Sequence, residues 1–429
     1  MRVLVLGAGA REHAIVQALL RDDAVTAVAC APGNAGIAQD VPVHAVAISD
    51  PAAVTALARE LDVDLVVVGP EGPLVAGVAD AVRAGGIACF GPDAVAAQLE
   101  GSKAFAKSVM REAGVATAEA VVCGDLDEVA AALDRFGAPY VVKDNGLAAG
   151  KGVVVTSRKE VALTHAAACL ARADTQVVVE DYLAGPEVSL FVITDGVAAI
   201  PLLPAQDFKR ALDGDLGPNT GGMGAYTPLE WLPAGFVDQV MAEVALPTIN
   251  RMRERGTPFR GLLYIGLALT AIGPRVVEFN ARFGDPETQS VLALLEDGLG
   301  CLLYAAATGT LADVGQLSWT EACAVTVVLA AEGYPEAPRV GDPITGLSAA
   351  AADPRVTVLH AGTKLNEEGR IVSAGGRVLS VVATGANLLS ACDAAYGAIE
   401  AIHLRGSHFR RDIASRAVMG EISLSAEDS

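Results

Sequence analysis

The chain has 429 residues, 52% of them hydrophobic and 4% aromatic, and a formal net charge of −20. That length fills several cores, so three or four compact units are expected, and the acidic balance argues against nucleic acid or an anionic membrane as partner. Seven cysteines, at 30, 89, 123, 169, 301, 323 and 392, are scattered without C-x-x-C spacing, which argues against a disulfide framework or a zinc site. The chain runs directly into a strand without a basic-then-apolar leader, and no apolar run is long enough to span a bilayer. A cytoplasmic protein is expected.

Residues 2–6 read as a strand, 12–20 as a helix, 25–30 as a strand, 52–61 as a helix, and 63–68 and 87–90 as further strands. Alternating β and α implies a doubly wound parallel sheet, whose ligands bind beyond the carboxyl ends of the strands. The loops at 7–13, 32–36 and 69–72 lie there. Gly91-Pro92 marks a boundary before one helical segment, 93–112. Strand signals follow at 118–122, 140–143, 152–155 and 177–181. A second strand-rich stretch covers 187–283, interrupted by an irregular loop from 207 to 227. Residues 287–308 read as helical, and from 323 onward short strands accompany one helix, 388–403.

The stretch VVKDNGLAAGKGVVV at 141–155 is the sharpest local signal. Gly146, Gly150 and Gly152 allow the backbone to approach an anion, while Lys143 and Lys151 supply compact charge, so the loop suits a polyphosphate. Its spacing differs from a P-loop, and Val153–Val155 beyond it read as strand, so it joins two strands; an ordinary hairpin with a basic tip is the alternative. Only seven residues are lysine, and Lys103, Lys143, Lys151 and Lys209 all fall in motif-like segments. The first loop, GAGAREH, opens like a dinucleotide fingerprint, but Glu12 stands where a third Gly or Ala belongs. A phosphate or sugar-phosphate site at the helix N-terminus fits it better. APGNAG at 31–36 offers backbone N–H groups and the Asn34 amide.

Glu180 and Leu183 close a Val-rich strand, and Glu187 follows; such a strand can offer backbone groups to a purine edge and a carboxylate to ribose hydroxyls, though exposed acids are the plainer reading. In VVEFNARFGDPE at 276–287, strand alternation places Glu278 and Asn280 on one face and Val277 and Phe279 on the other. A carboxylate and an amide oxygen so spaced are hard-oxygen ligands for Mg²⁺ bridging phosphates. Finally, the glycine- and charge-dense loop at 206–226, with Lys209 and Arg210, can close over an anionic substrate.

Taken together, GAGAREH, APGNAG, GPEGPL, GSKAFAK, VVKDNGLAAGKGV, VVVEDYLAGPEVS, PAQDFKR, GPNTGGMGAY, EFNARFGDPETQ, AEGYP, HAGT and GGRVL resemble, in order and over essentially the whole chain, the phosphoribosylamine–glycine ligase family of ATP-grasp enzymes. The resemblance implies a pre-ATP-grasp α/β domain at 1–100, an ATP-grasp domain at 101–310 with a mobile lid at 115–190 and a catalytic part at 191–310, and a mixed α/β C-terminal domain at 322–425. It implies ATP-dependent joining of glycine to 5-phosphoribosylamine through a glycyl phosphate, by a monomer acting on small molecules, with Mg²⁺ or Mn²⁺. Lys103 and Lys143 would contact the ATP phosphates, with the loop 146–152, including Gly146, Gly150, Lys151 and Gly152, covering them. Glu180 and Leu183 would hold adenine, Glu187 the ribose, and Glu278 and Asn280 the metal. Gly9, Arg11, Glu12, His13, Gly33 and Asn34 would receive the phosphoribosyl group. Arg282, Asp285, Asp207 and Lys209 would serve the glycine and acyl-phosphate region. The chain departs from the family in Ala10 for Gly, Asp144-Asn145 for Ala-Asp and Phe208 for His. A bicarbonate-using ATP-grasp carboxylase, a dinucleotide-binding redox protein and a non-catalytic nucleotide sensor are the alternatives, and nucleotide, glycine and bicarbonate dependence separate them.

Overall fold

The computed structural model of the protein describes residues 1–147, 152–172 and 175–422. At the N-terminus, β1 (Arg2–Gly7), β2 (Ala27–Pro32), β3 (Leu65–Val68) and β4 (Ala88–Phe90) form a parallel sheet in the order β2-β1-β3-β4. Val3, Leu4, Val5 and Leu6 are all buried, as are all four residues of β3. Such unbroken apolar runs belong to a sheet covered on both faces. Helix α1 (Ala10–Leu20) leaves the carboxyl end of β1.

The expected helix at 93–112 is two helices, Gln98–Gly101 and α2 (Lys103–Ala113). Ser102 adopts extended backbone between them, and its hydroxyl accepts the Phe105 N–H, so the local hydrogen bond of an N-cap wins over helix continuity.

Next comes a small domain with a hydrophobic cluster of its own, built on Cys123, Val129, Leu133, Val142, Ala166 and Val179 among others. Its antiparallel sheet joins β5 (Ala120–Cys123), β6 (Tyr140–Asp144), β7 (Val153–Thr156) and β8 (Val177–Glu180) in the order β5-β8-β6-β7. Helices α3 (Leu126–Phe136) and α4 (Lys159–Leu170) pack on it. The central sheet is β10-β9-β15-β16, from β9 (Glu187–Thr194), β10 (Ala199–Pro201), β15 (Gly261–Thr270) and β16 (Gly273–Asn280).

Where an irregular loop was expected at 207–227, the chain forms β11 (Gln206–Asp207), a hairpin of β12 (Arg210–Leu212) and β13 (Leu216–Asn219), and β14 (Gly224–Thr227). Gly214 and Asp215 turn the hairpin with positive φ, which the Asp- and Gly-rich sequence permits without any apolar alternation to announce it. Residues 236–254 of the strand-rich stretch are helical instead, with one π turn at Met241–Ala245.

The segment expected as one helix at 287–308 is α5 (Glu287–Leu294) and α6 (Leu299–Thr308). A five-stranded sheet, β11-β14-β17-β19-β18, then joins the central part to the C-terminal part through β17 (Cys323–Ala330), β18 (Val356–His360) and β19 (Arg377–Gly385), with α7 (Leu388–Glu400) against it. One hydrophobic cluster runs through the N-terminal, central and C-terminal parts. The small domain, by contrast, keeps its core to itself. Among the described residues no helix is long and apolar enough to cross a membrane.

Candidate active site

Between the small domain and the rest of the molecule lies a cavity of about 850 Å³. To its lining α2 supplies Lys103 and Lys107, β6 supplies Lys143, and β8 supplies Glu180. Lys143 is buried; it pairs with Glu180 Oε2 at 2.8 Å and donates to Val277 O at 3.0 Å. Burial opposes its charge, but Glu180 and Glu278 outweigh burial and hold the ammonium above its ordinary range. Lys103 is lowered by burial, against Glu278 and with Lys143, and donates to Gly146 O at 3.2 Å. Two ammonium groups in one partly dry pocket, with a carboxylate between them and the strand, make a receptor for a multiply charged anion. Apolar Ala106, Met110, Val141, Val155, Leu183 and Leu269 line the same cavity.

The loop after β6 is seated by Asn145. Its Oδ1 accepts the Ala104 N–H at 2.8 Å, and its carbonyl accepts the Lys103 N–H at 3.0 Å. Asp144 caps the Gly146 N–H at 3.0 Å and pairs with Arg172. The Asp144 charge is thereby neutralised locally, and the Asn145 amide fastens the loop to the start of α2. Gly150 and Lys151 lie outside the described residues; Gly146 and Gly152 line the cavity.

Glu278 and Asn280 of β16 both line the cavity. The expected alternation around them is broken: Gly266 pairs with Glu278 and Leu267 with Val276, so Val277 is an extra residue. This bulge buries both Val276 and Phe279 and turns the Val277 carbonyl toward Lys143. Among the described residues no group of three or more His, Cys, Asp or Glu side chains is placed to cage a metal. One carboxylate and one amide instead fit an ion that completes its shell with water and phosphate oxygens, as Mg²⁺ does.

Asp207, Lys209, Arg282, Asp285 and Glu287 line the same cavity. Lys209 pairs with Glu187 and, at 3.1 Å, with Asp207. Burial works against the Lys209 ammonium, but Asp207 and Glu187 hold it well above its ordinary range. Asp207 is pushed up by burial, with Glu287 and Glu187 adding to the shift and Lys209 opposing it. Arg282 is clamped by Glu71 at 3.2 Å and Glu100 at 3.0 Å. Arg377 of β19 donates to Gly221 O at 2.6 Å and to Asp285 O at 2.8 Å, and pairs with the Asp285 carboxylate at 3.1 Å. Phe208 packs on Tyr226 and lies under the Arg410 guanidinium, 4.9 Å from its ring centre, a structural contact at a position where the family commonly has His.

Of the six residues expected to meet the phosphoribosyl group, Arg11 lines this cavity; the others are engaged elsewhere. Glu12 occupies the helix N-terminus itself, accepting from Gly9 N at 2.6 Å and from Arg11 Nε at 2.6 Å. A Cβ at Gly7 or Gly69 would collide with its side chain. Glycine is therefore required there by a carboxylate of the protein, where a bound phosphate was expected. His13 bonds Asp40 Oδ2 at 2.8 Å and the His360 N–H at 2.8 Å, and the Asn34 amide donates to Ala8 O and His360 O. Gly33 has positive φ, turning this loop. Lys107, Glu71, Glu100, Glu287 and Arg377, all lining the cavity, were missed as site residues. Lys107, Glu71, Glu287 and Arg377 fall inside motifs already singled out, a signal that could have found them.

Family models describing the N domain, the ATP-grasp (A) domain and the C domain of phosphoribosylglycinamide synthetase match residues 1–100, 101–288 and 324–416. Phosphoribosylamine–glycine ligase of Streptomyces coelicolor is 62% identical over 97% of this chain and 99% of its own; that of Mycobacterium leprae is 57% identical over 99% and 100%. The crystal structure of the Thermotoga maritima phosphoribosylamine–glycine ligase superposes with a TM-score of 0.84 at 33% identity, covering 96% of this chain and 100% of that one. A biotin carboxylase domain from Hydrogenobacter thermophilus, solved with MgADP, ADP and bicarbonate, shares the fold at a TM-score of 0.71 and 16% identity, over 95% and 91% of the two chains. With matches of this extent and identity, the chain belongs to the phosphoribosylglycinamide synthetase family, the phosphoribosylamine–glycine ligases.

Proposed function

We propose that this protein joins glycine to 5-phosphoribosylamine at the expense of ATP, giving glycinamide ribonucleotide, ADP and phosphate. The observation that carries the reading is a single cavity lined by Lys103, Lys143, Glu278 and Asn280 together with Lys209, Arg282 and Asp285. A carboxylate is a poor electrophile. Transfer of the γ-phosphoryl to a glycine carboxylate oxygen breaks the bond to the β-phosphate oxygen and leaves ADP. Lys103 and Lys143 face the charge spread over that group, and positive groups already held in place lower the barrier without rearranging. Glu278 and Asn280 would hold Mg²⁺ or Mn²⁺, which supplies charge neutralisation at the phosphates. The amine of phosphoribosylamine then attacks the acyl carbon and inorganic phosphate departs. Arg282 and Lys209, fixed by their carboxylate partners, would orient the acyl phosphate, and Asp285, held by Arg377, would face the acceptor. Arg11, which lines the cavity, would meet the phosphoribosyl group. The small domain would act as a lid that keeps water from the acyl phosphate.

The test is ADP release by the full chain with each acceptor omitted in turn. Release should require both glycine and phosphoribosylamine; release driven by bicarbonate in place of glycine would replace this reading with a carboxylase.

A further inference from the structure

The polypeptide crosses between the small domain and the body at residues 115–119 and again at 181–187. Lys107 touches the first crossing and the last residue of β8, directly before the second. Its ammonium donates to Thr117 Oγ1 at 2.9 Å and Ala118 O at 2.9 Å on the incoming strand. It pairs with Glu180 Oε1 at 3.3 Å at the end of β8, just before the outgoing strand. Two hydrogen bonds and this ion pair turn the ammonium toward acceptors of the protein itself. Its side chain is 12% exposed.

The incoming strand is in turn fastened to β16. Thr117 Oγ1 donates to Val276 O at 2.6 Å, Val276 N donates to Ala116 O at 2.9 Å, and Arg275 donates to Thr117 O at 3.1 Å. The second oxygen of Glu180 takes Lys143, whose other bond reaches Val277 O in the bulge beside Glu278. A continuous run of charge-assisted hydrogen bonds thus links α2, the first crossing, the end of β8 and the strand that carries Glu278.

We propose that Lys107 is the pin of the hinge: it binds the strand entering the small domain to the strand leaving it, and so sets how that domain stands over the nucleotide. It is a positioning residue, and the proposal rests on the small domain serving as the lid. Burial pushes its ammonium down to about 8, with Glu180 opposing and Lys143 adding to the shift. Those two are the charged groups it faces, and Lys103 lies one turn away on its own helix. Above pH 8 the pin loses its charge and its hold on Glu180, so ATP binding weakens.

The experiment compares full-length wild type with Lys107→Met, which keeps the stem, and Lys107→Arg, which keeps the charge. In Lys107→Met, amide exchange at 116–123 and 177–183 without nucleotide should quicken roughly tenfold. KM for ATP should rise roughly tenfold while KM for glycine stays within about twofold. Lys107→Arg should stay near wild type in exchange, and its KM for ATP should stay level where that of wild type climbs above pH 8, because the guanidinium remains charged. A folded Lys107→Met with unchanged exchange in both strands overturns the proposal. So does a Lys107→Arg profile that still climbs above pH 8. Small-domain exchange indifferent to Mg–ATP in wild type would sink the lid reading instead. A wild type that binds ATP yet shows no glycine-dependent ADP release would sink the ligase reading and leave the exchange measurements standing.

Discussion

Glu278 lines the cavity on a strand whose bulge also aims a carbonyl at Lys143. Its charge acts on both Lys103 and Lys143, so under the proposed function it would help hold the cations that meet the phosphates as well as a metal ion. Replacing it by Ala should lower turnover roughly a thousandfold at saturating Mg²⁺ and move the melting temperature by only about 3 °C, since a half-buried side chain at a cavity wall carries little of the core. Near-normal turnover in a folded Glu278→Ala removes it from the site. This residue was legible in the sequence, as were Asn280, Lys103 and Lys143, because each announces itself within a few neighbours. Glu100 was not, and the motifs holding Lys107 and Glu71 did not reveal what those side chains do. Their roles depend on partners such as Glu180, Thr117 and Arg282, which only the fold brings near. Nor does local spacing reveal that the Glu12 carboxylate turns onto the N-terminus of its own helix.

Among the elements, the loop after β6 and the hairpin β12–β13 show how a site is assembled from segments without periodicity. The fold class and the parallel N-terminal sheet follow from apolar runs punctuated by glycine, a signal carried by each strand alone. The bulge in β16 and the hairpin at 210–219 carry no such signal, because pairing partners decide them. Asn145 is the clearest case of an element held by one side chain. Asn145→Ala removes the acceptor of the Ala104 N–H at the start of α2, a loss of about 1 kcal/mol by analogy with capping residues. The loop beside Lys103 then loosens, and KM for ATP should rise roughly fivefold with little change in KM for glycine. Equal ATP kinetics in Asn145→Ala would mean that the backbone bond from Lys103 N to Asn145 O fixes the loop unaided.

Across the whole molecule, the N-terminal and C-terminal parts are joined by a histidine seam. The His360 N–H donates to His13 Nδ1, so the His13 proton sits on Nε2 and is given to Asp40. Burial, with His13 beside it, pushes His360 down to about 4 from its ordinary 6.5, against Asp40. A folded value below the unfolded one means that the unfolded chain takes up the proton first. This share of stability is therefore complete above pH 6.5 and lost as pH falls toward 4. By pH 4.5 wild type should have lost about 2–3 kcal/mol from this source. Urea midpoints at pH 7 and pH 4.5 should therefore fall less in His360→Gln than in wild type, and equal falls would discharge His360 from the effect.

The sheet β11-β14-β17-β19-β18 has one further consequence, for how the chain tolerates being divided. The family models break between 288 and 324, yet β14 pairs with β17 along Gly224–Thr227 across that break. Stopping the chain there strips a partner from β14 and uncovers an apolar edge, which recruits whatever strand is at hand. The C-terminal part is thus a complementing fragment, not a removable module. Two pieces cut near residue 316 should be insoluble apart and should restore glycine-dependent ADP release when refolded together. A soluble, nucleotide-binding piece ending there would show that β14 can close its edge alone.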